Sequence, residues 1–282
     1  MKTAIITGAD GGMGRVITTE LALTGYHVIM ACEEYDRAAV VMEDIRQKTA
    51  GTLSLFTLNL ASFHSIIQFV EKVTTQFPTI DILLNNAGIL PQKSDVTEDG
   101  FEITAGVNYL GHYLLTTKLI PFMPAGSRIV NMSSFSYKWF DVRDDFFLPN
   151  IDQKSPNRFL HYSSSKRALV YFTLDWAARL KEKGITINCA DPGIVNTKII
   201  CLGNKLIDKA CDLFFRPFIN TPKKGAETMI FLALSNSVKG ETGSYYANKK
   251  RVKISKTICN SPQRMKLASL TAEILSQHNL SV

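Results

Sequence analysis

The chain has 282 residues, 45% apolar and 20% charged, ample for a large core and for one undivided α/β domain over 1–282, since no Pro/Gly/Ser-rich linker interrupts it. The net charge of +7 gathers mainly in Lys249-Lys-Arg-Val-Lys253 and is otherwise scattered, which favours a solvated basic edge over a nucleic-acid groove. Five cysteines, Cys32, Cys189, Cys201, Cys211 and Cys259, are odd in number and form no C-x-x-C pair, which argues against a disulfide framework or a metal site and for reduced thiols in the cytoplasm.

Thr3 to Thr7 reads as a short buried strand, beginning so close to Met1 that no signal peptide is expected. It runs into Thr7-Gly-Ala-Asp-Gly-Gly-Met-Gly14, and Arg15 to Leu23 then carries apolar residues at helical spacing. Glycines between a strand end and a helix start let a pyrophosphate approach unpaired backbone N–H groups at the positive end of the helix dipole. This context points to a dinucleotide-binding βαβ unit.

After Gly25, Tyr26 to Ala31 is a second strand, ending at Cys32, Glu33 and Glu34. Glu33 stands 19 residues beyond Gly14, close to the spacing at which a carboxylate hydrogen-bonds an adenosine ribose and repels a 2′-phosphate. The alternative is a solvent-facing Glu pair, and Arg15 and Arg37 are near enough in sequence to offer a phosphate some compensation. The alternation continues with a helix over 35–48, a strand over 52–58, a helix over 63–76 and a strand over 80–84 that closes on Asn85-Asn-Ala-Gly88. A helix over 103–123, broken near Pro121 and Pro124, precedes the strand Arg128 to Met132 and Ser133-Ser134.

Residues 135–160 form a polar and aromatic insertion with Trp139, Phe140, Phe146 and Phe147, and long insertions in compact domains are usually functional loops. Tyr162-Ser-Ser-Ser-Lys166 opens a helix to about Lys183, followed by a strand over 185–190 and Asp191-Pro-Gly193. The apolar stretch 199–220 covers the substrate or, equally, packs into the core or a subunit contact. A helix over 223–234, a short strand near Tyr245 and a helix over 262–276 complete the chain. No apolar run reaches the roughly 18 residues of a spanning helix.

Tyr162 and Lys166, four apart, project from one helix face. An ammonium beside a phenol favours the phenolate and pulls the phenol's pKa down toward working pH, making Tyr162 a candidate acid/base. Singly, such a pair decorates many solvated helices, Ser134 could be a cap, and Asn108 a satisfied helix amide. Together, the glycine loop, Asn85 to Gly88, Ser134 and Pro192-Gly193 all fall at carboxyl ends of strands, where doubly wound sheets bind ligands.

Thr7-Gly8-x-x-x-Gly12-x-Gly14, Asn85-Asn86-Ala87-Gly88, Asn108, Ser134, Tyr162-x-x-x-Lys166 and Pro192-Gly193 resemble, in identity, order and spacing, the short-chain dehydrogenase/reductase family over nearly the whole chain. The 28-residue step from Ser134 to Tyr162 and the Gly243-Ser-Tyr-Tyr246 ending resemble its retinol-dehydrogenase-like branch. The resemblance implies a Rossmann-type doubly wound, mainly seven-stranded parallel sheet with helices on both faces. It also implies hydride transfer between NAD(P) and an apolar alcohol or carbonyl compound, the alternative being a non-catalytic sensor or scaffold of the same fold.

Asn108, Ser134, Tyr162 and Lys166 match the family's catalytic tetrad. Thr7, Gly8, Gly12, Met13, Gly14, Glu33, Asn59, Leu60, Asn86, Ala87, Gly88, Tyr162, Lys166, Pro192, Gly193 and Thr197 match its cofactor contacts, and no metal is implied. Asn59 stands where the family usually has an aspartate, and Cys32 where NAD-preferring members do. Gly11 and Glu33 stand where NADP-preferring members often carry basic residues. NAD(H) is favoured, with NADP(H) left open, because a carboxylate beside a 2′-phosphate costs more than one missing hydrogen bond. A homodimer or homotetramer through the helices near 103–123 and 162–183 is the implied assembly.

Overall fold

The computed structural model describes residues 1–149, 158–194 and 220–281. Its strands are β1 (Thr3–Thr7), β2 (His27–Cys32), β3 (Leu53–Thr57), β4 (Ile82–Asn85), β5 (Arg128–Met132), β6 (Thr186–Asp191), β7 (Tyr245–Ala247) and β8 (Lys250–Val252). All join one sheet in the order β3-β2-β1-β4-β5-β6-β7-β8. The first seven are parallel, as the alternating pattern implies, and the chain reverses its direction of winding at β1 and β4. A crevice at the carboxyl ends of β1 and β4 follows from that reversal.

Strand alternation sorts the core into two layers, because neighbouring residues face opposite sides of a sheet. Ile5, Ile29, Leu83, Ile129 and Ile187 pack beneath α3 (Phe63–Gln76), α5 (His112–Leu119) and α6 (Arg158–Lys181), meeting Phe69, Val73, Leu114, Leu169 and Phe172. Ala4, Ile6, Val28, Met30, Leu84 and Val130 face the other way, against α1 (Gly12–Leu23), α2 (Tyr35–Thr49) and α7 (Pro222–Leu234). Every one of these strand side chains is essentially inaccessible to water. Near-continuous apolar strands are what a sheet covered on both faces requires.

Two features depart from the pattern read along the chain. An eighth strand runs antiparallel to β7, with Ala247 opposite Lys250. The two residues between them, Asn248 and Lys249, have φ of 49° and 62°, the left-handed pair that a two-residue hairpin turn demands. Asn-Lys is a weak signal beside Asn-Gly, so the basic run read as a solvated edge without its strand. Its exposed Lys250 and Arg251 leave a charged edge that resists further pairing.

The helix expected over 103–123 is not uniform. It consists of α4 (Ile103–Ala105), a π-helical turn over Gly106–Gly111, α5, and a tight turn over Ile120–Phe122 that contains Pro121. The wide turn brings its backbone against Leu60, where a Cβ on Gly111 would lie 2.4 Å from the Leu60 carbonyl oxygen. Asn108 lies within this turn, and such turns recur at functional sites.

Candidate active site

At the end of β1 the backbone turns sharply enough that Gly8 has φ +62°, with Ala87 3.2 Å from the position a Cβ would take. Gly14 is tighter still: a Cβ there would stand 2.0 Å from the Gly8 carbonyl oxygen. Helix α1 starts after Gly11 with no side chain capping its first N–H groups. An uncapped helix start approached without steric hindrance fits the pyrophosphate of a dinucleotide. Met13 and Gly12 lie in that first turn, and Gly12 is exposed.

Thr7 fastens this loop to the end of β4. Its hydroxyl oxygen accepts from the backbone N–H of Asn86 at 3.0 Å and of Ala87 at 2.9 Å, while the Asn86 amide donates to the Thr7 carbonyl at 2.9 Å. Gly88 follows, and a Cβ there would meet Lys166 Nζ at 3.2 Å and Asn108 Oδ1 at 3.4 Å. A side chain at this position would press on both groups where the β1 loop, the π turn and α6 converge. Asn85, directed below the sheet, instead donates to Thr116 and Asn131, each at 2.8 Å, and Asn131 donates to Thr173 at 2.9 Å. This buried amide ladder tying β4 and β5 to the helices has no periodic sequence signal.

Tyr162 lies a turn inside α6, whose first described residue is Arg158, and not at the opening of the helix as its sequence suggests. Burial pushes its phenol up to about 12, partly offset by a hydrogen bond with Ser134 and reinforced by the charge of Asp191. The expectation of a phenol made acidic by Lys166 is thereby corrected. Lys166 is itself buried, its pKa brought down to about 8 by desolvation. Its ammonium donates to the Met132 carbonyl at 2.9 Å and lies 5.4 Å from the centre of the Tyr162 ring. Low dielectric penalises phenolate and ammonium alike, so the neutral forms gain together. A lysine has three N–H groups, and Met132 occupies one of them.

Ser134 lies two residues past β5 and is buried; its hydroxyl oxygen accepts from the Ser136 N–H at 3.3 Å and from the Ser136 hydroxyl at 3.1 Å. Asn108 is held on three sides. Its Oδ1 accepts from the Ile89 N–H at 2.8 Å, and its amide donates to the Ile89 carbonyl at 3.0 Å and to Ser165 Oγ at 3.1 Å. At the end of β6, Asp191 accepts from the Gly193 N–H at 2.8 Å and from the Tyr245 hydroxyl at 2.7 Å. This shapes the Pro192-Gly193 turn, with Gly193 at φ +71° and the Pro192 carbonyl accepting from Asn220 at 3.0 Å.

The remaining candidates are less concentrated. Glu33 is exposed past β2. Asn59 spends its carbonyl on the Ala61 N–H at 2.8 Å and its amide on Glu98 at 3.1 Å, so the loop already uses both ends. Leu60 is buried against the π turn. Thr197 and the stretch 199–219 lie outside the described residues. Reading along the chain missed Asp10, whose carboxylate takes the Arg37 Nε–H at 2.6 Å, while Arg37 also reaches Glu34 at 2.8 Å. Arg15 pairs with Asp44. Both arginines that could have met a phosphate are thus held by carboxylates.

The family described as short chain dehydrogenase matches residues 2–138 and 150–201. Retinol dehydrogenase 14 of Homo sapiens is 38% identical over 268 residues, covering 88% of this chain and 78% of that protein. Retinol dehydrogenase 12 of Homo sapiens is 32% identical, covering 97% of this chain and 86% of its own. Among solved structures, a protein of Mycobacterium paratuberculosis superposes with a TM-score of 0.77 at 26% identity, covering 98% and 94% of the two chains. The angucycline C-6 ketoreductase LanV with bound NADP superposes with a TM-score of 0.69 at 25% identity, covering 88% and 93%.

Proposed function

The chain belongs to the short-chain dehydrogenase/reductase family and is an oxidoreductase, and from that premise we propose that it interconverts an apolar alcohol and its aldehyde or ketone with NAD(H). The observation that carries this reading is the convergence of Tyr162, Ser134, Lys166 and Asn108 beside Gly88 at the carboxyl ends of β4 and β5. Thr7, Gly8, Gly12 to Gly14 and Asn86 to Gly88 would hold the dinucleotide, and the bound nicotinamide supplies or accepts the hydride. In the reducing direction Ser134 holds the carbonyl oxygen and the Tyr162 phenol delivers a proton to it. Lys166 holds the ribose and steadies the phenolate left behind, and Asn108 keeps a water from which Tyr162 regains its proton. In the oxidising direction the phenolate removes the hydroxyl proton.

The exposed side chains of Trp139, Phe140 and Ile194 support an apolar substrate: Phe140 is held to Ser163, beside Tyr162, by its N–H at 3.2 Å, and Ile194 follows the Pro192-Gly193 turn. The names of the relatives make retinol and retinal the first compounds to try. The preference for NAD(H) rests on Asp10 and Glu34 sharing Arg37, on Arg15 being paired with Asp44, and on the exposed Glu33 next to Glu34 in the chain. A 2′-phosphate there meets carboxylates in place of free guanidinium groups.

The test is a paired screen of NADH and NADPH against apolar aldehydes and ketones, retinal included, followed by the absorbance of reduced nicotinamide. Consumption of NADH with an apolar carbonyl compound, at least about tenfold faster than of NADPH at equal low concentration, is the expected result. Turnover only with NADPH sinks the cofactor assignment. No turnover with either cofactor on any carbonyl compound sinks the proposed reaction.

A further inference from the structure

His112 is fully buried beneath the cleft, and no step proposed above uses it. Its Nε2 lies 3.0 Å from the Thr7 hydroxyl, and its Nδ1 lies 3.1 Å from the backbone carbonyl of Asn108. These contacts assign the ring. A carbonyl can only accept, so Nδ1 carries the hydrogen and Nε2 presents its lone pair to Thr7. The Thr7 oxygen already accepts from the Asn86 and Ala87 N–H groups at 3.0 and 2.9 Å, which leaves its own hydrogen to donate. Nε2 at 3.0 Å is a closer acceptor for that hydrogen than the Leu84 carbonyl at 3.5 Å. The hydrogens and lone pairs along this path are therefore matched.

Burial, with the nearby charge of Lys166, holds the imidazole neutral, its pKa brought down to about 4. A neutral imidazole is one donor and one acceptor on opposite edges of a rigid ring, which no aliphatic or amide side chain reproduces at both ends. Asn108 is meanwhile fixed through its side chain to Ile89 and Ser165. Its main-chain carbonyl is the part that His112 touches.

We propose that His112 is a positioning residue that ties the dinucleotide-binding end of the cleft, Thr7 with the Asn86 and Ala87 backbone, to the π turn that carries Asn108. This inference rests on the oxidoreductase reading above. Occupation of the nucleotide end is thereby transmitted to the turn at the proton-transfer end through one ring, alongside the backbone route from Asn86 and Ala87 to the Ile89 groups that hold the Asn108 side chain.

Two near-isosteres separate its two links. His112→Gln places a polar atom near the position of Nε2 and retains a partner for Thr7 while releasing the Asn108 carbonyl. His112→Asn places its amide nitrogen near the position of Nδ1 and retains the Asn108 link while releasing Thr7. NADH fluorescence titration and steady-state turnover are measured on the full chain. For His112→Gln the expected result is a kcat lowered at least tenfold with the NADH Kd within twofold of wild type. For His112→Asn it is a Kd raised at least fivefold, with the smaller share of the loss in kcat. Equal losses of kcat and affinity in both variants, tracking a fall in Tm, mean that the ring only fills space, and that overturns the proposal.

A measurement on the wild type keeps the proposal decidable should either variant fail to fold. In 15N-histidine-labelled protein, one ring must show the Nδ1–H tautomer unchanged from pH 5 to 8 and respond to NADH. If every histidine titrates in that range, the assigned ring and the proposal both fall. Because NADH binding and the tautomer are read without turnover, failure of this inference is distinguishable from failure of the proposed reaction.

Discussion

On the β1–β4 side of the cleft the partners are backbone groups and the spaces between them: the Thr7, Asn86 and Ala87 contacts, the sharp turn at Gly8, and the 2.0 Å that a Gly14 Cβ would leave to the Gly8 oxygen. On the β5–β6 side they are long side chains brought from α6 into low dielectric, where Tyr162 and Lys166 both shift toward neutrality. Gly14 leaves no room for an added carbon, and Gly8 adds a backbone conformation that disfavours one; on the other side the constraint is on charge and hydrogen bonding. The first is a matter of shape and the second of solvation. Substitutions should therefore fail differently on the two sides.

The largest effect is expected from Tyr162→Phe, which removes the proton donor and little volume. Turnover should fall by about 10²- to 10⁴-fold, with the NADH Kd, read by fluorescence, within about threefold. Turnover near the wild-type rate removes Tyr162 from the mechanism.

Gly14→Ala should fail in the opposite way. A methyl group 2.0 Å from the Gly8 oxygen forces the loop apart, costing roughly 1–3 kcal/mol of stability and most of the NADH affinity. A calorimetric Tm and an NADH titration indistinguishable from wild type would show that the loop is not the close-fitting cradle described.

The pH dependence tests the solvation argument directly. With the phenol near 12 and Lys166 near 8, the phenolate fraction below 12 grows tenfold per pH unit. The kcat/KM for alcohol oxidation should rise from pH 6 to 8 with a slope approaching one on logarithmic axes. Carbonyl reduction, which needs the protonated phenol, should stay flat there and decline above about pH 8 as Lys166 loses its charge. An oxidation profile that levels off near pH 7 would place the phenol's pKa far lower and restore the lysine-acidified tyrosine expected from spacing alone.

The smallest effect concerns the adenosine end. Glu33→Arg should improve NADPH affinity by about tenfold, about 1.4 kcal/mol, while weakening NADH by less than that. Measured by paired titrations, an unchanged ratio would mean that the exposed Glu33 does not face the ribose.

Much of the nucleotide side was legible along the chain. Gly8, Gly12 and Gly14 stand out through their strand–loop–helix context, which is local backbone geometry, and runs such as Ala4–Ile6 and Val28–Ala31 mark strands; Asn86 to Gly88 and the seven-stranded parallel sheet came from the family resemblance. The π turn around Asn108 was not legible, since it depends on Leu60 and Thr97 approaching Gly111 and Gly106 from distant segments. Nor was the β7–β8 hairpin, which places Lys249 at a φ of 62° that its side chain does not advertise. His112 carried no motif, and nothing along the chain pairs Asp10 of the glycine loop with Arg37; each matters through a partner brought to it by the fold.

The order of residues alone determined which side chains stand at the strand ends, because hydrophobic period and glycine placement are properties of short segments. Whether those side chains are charged, what they hold and how far they are from water was decided only once α6, the π turn and the sheet came together. Solvation depends on the atoms arriving from the rest of the chain, and it reversed the direction of the Tyr162 pKa that spacing predicts.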